Sequence, residues 1–287
     1  MIKNNIVREA IDNGDFVCDD FGIQMTRRCN FGICPHCING KPQEIDIKKE
    51  VVEQAFDNIK NINKIILLGG EVSLNPQGLE YVLNAIEKYR ITFNDLRMAS
   101  NGREFDTDFY DILNAIEKHA VKKNGKGVSV NISSDDYHIS VYKKLDFDSH
   151  RVGEMVNKMK RKYPNINFNY PWVTGKQDLY EIGKAKSLKT LYPEFKDIVF
   201  KESPYEDMVF TYGAPEGKIK LQTFNVDVKG NIIPRVIDYE GGDKNNFGNL
   251  LKTPLKEILI SEGKERYIKN SEEALIIIKN AESSLNS

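Results

Sequence analysis

From about residue 20 to residue 200 the chain alternates compact apolar runs with amphipathic stretches. Five runs read as strands: FGIQMT from Phe21, KIILL from Lys64, DLRMAS from Asp95, GVSVNIS from Gly127 and INFNYP from Ile166. After the first, Val51, Val52, Ala55, Phe56 and Ile59 recur at helical spacing. NPQGLEYVLNAIEKYR predicts a helix with Asn75 as its cap before Pro76. DTDFYDILNAIEKHA and SHRVGEMVNKMKRKY predict two more. A further helix around Tyr180 to Leu191 leads to DIVF, Asp197 to Phe200, a sixth strand.

Strands alternating with helices make a parallel sheet with crossover helices. Six units are too few for a closed eight-unit barrel, and suit a partial barrel or an open doubly wound sheet. The pattern changes after about residue 204. KIKLQTFNVDVKGNIIP reads as a hairpin turning at Lys229, Gly230 and Asn231; TPLKEILIS and SEEALIIIKNAESSL read as helices. The expected division is a barrel domain over residues 1–204 and a small hairpin-plus-helix unit over 205–287, packed on the sheet.

Lys and Arg total 41 against 42 Asp and Glu, so no global basic field draws the chain to nucleic acid. The start, MIKNNIVREAIDNGDF, lacks the apolar core of a secretion signal, and no apolar run is long enough to cross a bilayer. A cytoplasmic protein without disulfides is expected.

Placing the polar loops changes the picture. In a parallel sheet all strand C-termini share one edge, where ligand sites gather. That edge receives RRCNFGICPHC, then Gly69-Gly70-Glu71, Ser100-Asn101-Gly102, the SSDDYH stretch from Ser133, and PWVTGK from Pro171. Three of the four cysteines, Cys29, Cys34 and Cys37, crowd the first loop at C-x4-C-x2-C spacing. In a reducing compartment such a cluster suggests metal binding or redox chemistry. Structural zinc requires a fourth ligand, which Cys18 or His36 could supply. An iron–sulfur cluster held by three thiolates instead leaves one iron open to a small molecule.

The three-cysteine loop after strand one, followed by GGE after strand two in a partial (β/α) barrel, resembles the radical S-adenosylmethionine (radical SAM) enzymes. The family usually shows C-x3-C-x2-C; this chain carries one residue more, within NFGI, where Gly32 can absorb a kink. The resemblance implies a partial (β/α)6 TIM-type barrel. It also implies a [4Fe–4S] cluster on Cys29, Cys34 and Cys37 whose fourth iron binds S-adenosylmethionine. His36 then stands where the family's residue before the last cysteine touches adenine. Gly69 and Gly70 would approach the ligand closely, and Glu71 would accept from the methionyl ammonium. Ser100 and Asn101 resemble the family's turn after strand three, and Ser133 and Asp135 its cofactor-contacting pair. GKA, Gly183 to Ala185, is similar to a GRA stretch of several subfamilies.

The implied chemistry is reductive cleavage of S-adenosylmethionine to a 5′-deoxyadenosyl radical that takes hydrogen from a substrate. It needs an external one-electron reductant of the flavodoxin or ferredoxin class. The C-terminal segment resembles the SPASM extension, with Pro234 in place but Arg235 where that extension has cysteine. No cysteine follows Cys37, so no thiolate-bound auxiliary cluster is expected there. Many relatives with the extension modify peptides; a peptide or protein side chain is therefore the expected substrate, with a small molecule as the other possibility. Asp136, Tyr137, His138, Trp172 and Lys176 are candidates for substrate contact.

Overall fold

The computed structural model describes residues 16–57, 59–121, 127–173, 179–180, 183–201, 210–214, 218–233, 246, 248–255 and 257–258. Strands β1 (Phe16–Thr26), β2 (Ile59–Gly69), β3 (Thr92–Ser100), β4 (Gly127–Ile132) and β5 (Asn167–Asn169) run parallel in consecutive order. Helices α1 (Lys49–Phe56), α2 (Pro76–Tyr89), α3 (Thr107–Glu117), α4 (Asp136–Lys144) and α5 (Ser149–Lys162) fill the crossovers.

Local chemistry sets the helix starts. The Asn75 side chain accepts from Gly78 N–H at 2.9 Å ahead of Pro76, as the sequence indicates. Asp106 caps α3 through Asp108 and Phe109, and Asp135 caps α4 through Tyr137 and His138. Helix α4 is absent from the sequence reading, which treats this stretch as a loop. Helix α1 ends at Phe56, and Ile59 opens β2 instead of extending the helical face.

The sixth strand differs from expectation. Phe200–Lys201 pairs with Leu179–Tyr180 in a separate two-stranded sheet (β7 and β6). The main sheet gains its sixth parallel strand on the other side of β1, from β9 (Lys218–Val226). β8 (Phe210–Ala214) and β10 (Asn231–Ile233) flank β9 antiparallel, and β11 (Gly248–Asn249) pairs with β10. The β9–β10 turn falls at the expected Lys229–Gly230, with Gly230 at φ +84. The result is a partial TIM-type barrel whose sheet is not closed. Pro234, Arg235, Lys176 and the expected terminal helix lie outside the described residues. Among those described, no helix is long and apolar enough to cross a membrane.

The two sheet faces divide by chemistry. Phe21, Ile23 and Met25 of β1, Ile65 and Leu67 of β2, Leu96 and Met98 of β3, and Val128 and Val130 of β4 are buried in the core with the helices. Facing the lumen, register aligns Thr223, Asp20, Lys64 and Asp95 in one row across four strands. Lys64 Nζ donates to Asp20 Oδ1 at 2.7 Å, and Arg97, two residues along β3, donates its Nε to Asp95 Oδ2 at 2.6 Å. TIM-type barrels pack this space with branched apolar side chains; here Ile66 and Leu68 share it with Asp20, Lys64, Arg97, Ser129 and Asn131 around an open cavity.

Candidate functional site

The cysteine loop is held at its base. Arg27 and Gln43 exchange backbone hydrogen bonds with Ile45 and Arg27, and Ile47 N–H donates to Met25. Thr26 Oγ1 donates to Asp46 Oδ1 at 2.6 Å, and the Arg28 guanidinium grips the same carboxylate and the Leu74 carbonyl. Asn39, two residues past the last cysteine, donates to the Gly69 carbonyl at 2.7 Å. Gly32 adopts φ +62, so the residue that lengthens the first arm makes its turn in the left-handed region, as its sequence position suggests.

Cys34 is buried, and Cys29 and Cys37 are half-buried. Burial pushes all three thiols above the usual cysteine range, while Lys184 pulls each back toward the thiolate. Such a donor set is held as thiolate by a cationic centre. Cys18 sits in β1 between Ile62 and Leu221, with no exposure. At eight residues from the strand end it lies roughly 26 Å away along the strand, so it cannot complete a zinc site with the loop. Among the described residues, the group gathered tightly enough for one ion is His36, Asp135 and His138, with ligand atoms within 4.8 Å of one another; the three thiols do not form such a group.

Gly69 and Gly70 lie directly against this loop. Gly70 N–H donates to Thr26 O at 3.0 Å and Glu71 N–H to Arg28 O at 2.8 Å. A Cβ on Gly70 would collide with the Arg28 carbonyl and lie 2.8 Å from its carbon. Glycine is therefore required for close approach to the cysteine loop, a reason the sequence reading assigned instead to the ligand. Glu71, expected to accept from the methionyl ammonium, belongs to the same rim. Its side chain is buried: Oε2 accepts from Asn101 N–H at 2.7 Å, and Oε1 from Ser73 Oγ at 2.7 Å and Ser73 N–H at 3.3 Å. Burial raises its pKa and these hydrogen bonds oppose the rise. The carboxylate staples the β2 and β3 tips together and does not line the cavity.

That role is testable. Glu71→Ala strands two buried N–H groups, each costing about 1–3 kcal/mol. A lowered denaturant midpoint with an unchanged slope is expected, and a smaller loss for Glu71→Gln, which keeps one acceptor oxygen. A wild-type midpoint for Glu71→Ala would contradict the staple.

The β3 and β4 tips are joined in turn. Asn101 Nδ2 donates to Asn30 Oδ1 at 2.8 Å, reaching into the cysteine loop. Ser133 N–H donates to Ser100 O at 2.9 Å, and Tyr142 Oη donates to the carbonyls of Asn101 and Ser133 at 2.8 and 3.0 Å. Asp135 Oδ1 caps α4 while Oδ2 pairs with His138 Nδ1 at 2.6 Å. Burial resists ionisation of Asp135, but the hydrogen bond and charge of His138 prevail and lower its pKa. His36 packs its ring against Tyr137 (4.7 Å) and His138 (4.9 Å). Burial, then the neighbouring His138, lowers its pKa to about 4, which keeps the imidazole neutral near pH 7.

One cavity of about 1110 Å³ joins these parts. Cys29, Cys34, His36, Cys37, Gly69, Gly70, Ser100, Asn101, Ser133 and His138 line it; Glu71 and Asp135 stand behind the wall. It continues down the lumen past Lys64, Arg97 and Asn131 and opens near Ile38 and Trp172. A binding site for one drug-sized ligand measures about 300–1,000 Å³, so there is room for a cofactor and a second molecule. The three-thiol donor set and the size of the cavity fit a [4Fe–4S] cluster with S-adenosylmethionine. Tyr142, Asn39 and Lys184 are the site residues that sequence reasoning misses or leaves without a role; of these only Lys184 carries a signal, the GKA stretch.

The model of the Radical SAM superfamily matches residues 23–172. No curated protein matches the chain. Among solved structures, anSMEcpe with bound AdoMet and Cp18Cys peptide is similar at 14% identity, covering 92% of this chain and 82% of that one, with a TM-score of 0.49. SuiB of Streptococcus suis bound to precursor peptide SuiA is similar at 15% identity, covering 88% of this chain and 66% of that one, with a TM-score of 0.40. The family match spans more than half the chain and contains the tips of β1 to β5: the protein belongs to the radical SAM superfamily, an enzyme whose cofactors are a [4Fe–4S] cluster and S-adenosylmethionine.

Proposed function

We propose that Cys29, Cys34 and Cys37 ligate the cluster, and that the cavity beside them takes S-adenosylmethionine against Gly69, Gly70, Ser100, Asn101 and Ser133, with His36 and His138 on its flank. When bound, this pair supplies the 5′-deoxyadenosyl radical that abstracts hydrogen from a substrate. The observation that carries the reading is the continuity of one cavity from the three cysteines to the polar lumen. The chain's own contribution is positional. Glu71, Asn101 and Tyr142 lock three strand tips into one rim, so that the walls do not shift between the two ligands. Asp135 fixes the orientation of the His138 ring by accepting from Nδ1.

The substrate we propose is a peptide or protein side chain. Trp172, 46% exposed, and Ile38, 42% exposed, stand at the cavity's lining and give a peptide backbone apolar footing. The charged row of Asp20, Lys64, Asp95 and Arg97 favours a second reading, a small polar molecule drawn wholly into the lumen. The electron donor in either case is a flavodoxin- or ferredoxin-class protein.

The test is anaerobic. The full chain, reconstituted with iron and sulfide and reduced with dithionite, is mixed with S-adenosylmethionine and size-fractionated cell extract, and 5′-deoxyadenosine is read by mass spectrometry. The peptide fraction is expected to raise the yield above the substrate-free level. Stimulation by the low-mass fraction alone would replace the peptide reading with the small-molecule one. Zinc uptake without iron uptake would remove the cluster assignment.

A further inference from the structure

Gly183 and Lys184 dock on the cysteine loop from 152 residues away. Lys184 N–H donates to the Cys37 carbonyl at 3.0 Å, and Lys184 Nζ donates to the Gly32 carbonyl at 2.7 Å. The two accepting carbonyls bracket Cys34. Gly183 makes this approach possible: it has φ +54, and a Cβ there would lie 2.6 Å from Cys37 O and 2.7 Å from Ile38 O. No side chain fits at that position without pushing the segment off the loop.

The lysine contact falls on the residue that makes the loop unusual. Four residues separate Cys29 from Cys34, and the turn that accommodates them is Gly32. An arm with an added residue has more conformations in which Cys34 is misplaced; a hydrogen bond from a cation to its turning carbonyl removes most of them. Lys184 also brings charge. No described carboxylate forms an ion pair with it, and its ammonium is held against the Gly32 carbonyl, two residues from Cys34. A cluster bound by three thiolates becomes more negative when it accepts an electron, and a fixed cation at its edge favours that state.

We infer that Lys184 is a positioning residue for the cluster: it clamps the lengthened arm between Cys29 and Cys34 and raises the potential at which the cluster is reduced. The inference rests on the assignment of the three cysteines as ligands. It concerns a residue beyond the end of the matched family region, at residue 172.

The decisive measurement is an EPR-monitored redox titration of the anaerobically reconstituted full chain, without S-adenosylmethionine, for wild type, Lys184→Met and Lys184→Arg. Lys184→Met is expected to disfavour reduction by about tenfold, a midpoint shift of about 59 mV to more negative potential for one electron. Lys184→Arg, with the same charge and donors, is expected to titrate like wild type. Full iron and a wild-type midpoint in Lys184→Met would overturn the inference, as would equal shifts in both variants. If Lys184→Met takes up no iron, an iron-loaded Lys184→Arg with the wild-type midpoint upholds it, and failure of both overturns it. Absence of iron from the wild type would overturn the cysteine assignment and this inference together, an outcome distinct from all the others.

Discussion

Cys34→Ala is expected to abolish the cluster's visible absorbance and to lower 5′-deoxyadenosine formation on the order of 10³-fold or more, as loss of an indispensable member of a catalytic unit does. The same holds for Cys29 and Cys37, because the three thiolates are the cluster's entire protein ligand set in this assignment. Cys34 is the most informative of them: it is buried, and the two carbonyls gripped by Lys184 lie on either side of it. Cys18→Ala is the matched control. That residue is fully buried in β1 and remote from the loop, so its replacement removes core packing and leaves the iron content intact. Iron retained by Cys34→Ala, or lost from Cys18→Ala with the fold preserved, would overturn the ligand assignment.

Gly70→Ala is the second large effect. Its Cβ would drive into the Arg28 carbonyl and lie 3.1 Å from Cys29 Cβ. Neither neighbour can yield easily, because Arg28 O already accepts from Glu71 N–H and the Arg28 side chain is fixed by Asp46. Overpacking of this kind costs about 1–3 kcal/mol. The functional loss is larger than the stability loss, since a displacement of about 1 Å in a reacting geometry costs about 10²-fold in rate. Reduced iron content and about a hundredfold less 5′-deoxyadenosine are expected. Gly153→Ala, in α5, provides the contrast. Its Cβ would meet only the Tyr170 ring at 3.5 Å, an ordinary contact, and the helix gains about 0.5–1 kcal/mol. Equal behaviour of the two glycine variants would refute the close-approach argument.

The architecture was legible where hydrophobic period and position agree. Buried parallel strands advertise themselves as apolar runs, so Lys64–Leu68 is visible, yet β2 extends from Ile59 to Gly69. The starts of β1 and β2 were hidden for a physical reason: Asp19 and Asp20 in one, and Asn61 and Asn63 in the other, interrupt the apolar run a buried strand is expected to show. β1 consequently begins at Phe16, five residues before the run that reveals it. The three cysteines were legible because cysteine is scarce, and the glycine pair because its loop follows the next strand. Glu71 was legible as a motif but not as a staple, because its partners Ser73 and Asn101 are set by the crossing of two strand tips. Lys184 meets Gly32 through tertiary structure alone, and the pairing of β9 with β1 is equally invisible in one dimension.

That last pairing has a consequence for how the chain is made. β1 ends at Thr26 and its neighbour β9 at Val226, about 200 residues later. At a synthesis rate of about 5–20 residues per second, the strand that carries the cysteine loop waits roughly 10–40 s for its second neighbour. During that interval β2 can cover one edge of β1, while the other edge offers unpaired N–H and C=O groups to any passing strand. The most ligand-rich strand of the protein is thus also the last in the sheet's centre to be enclosed. Its exposure to misassembly is set by the distance in sequence between two strands that lie side by side in the folded sheet.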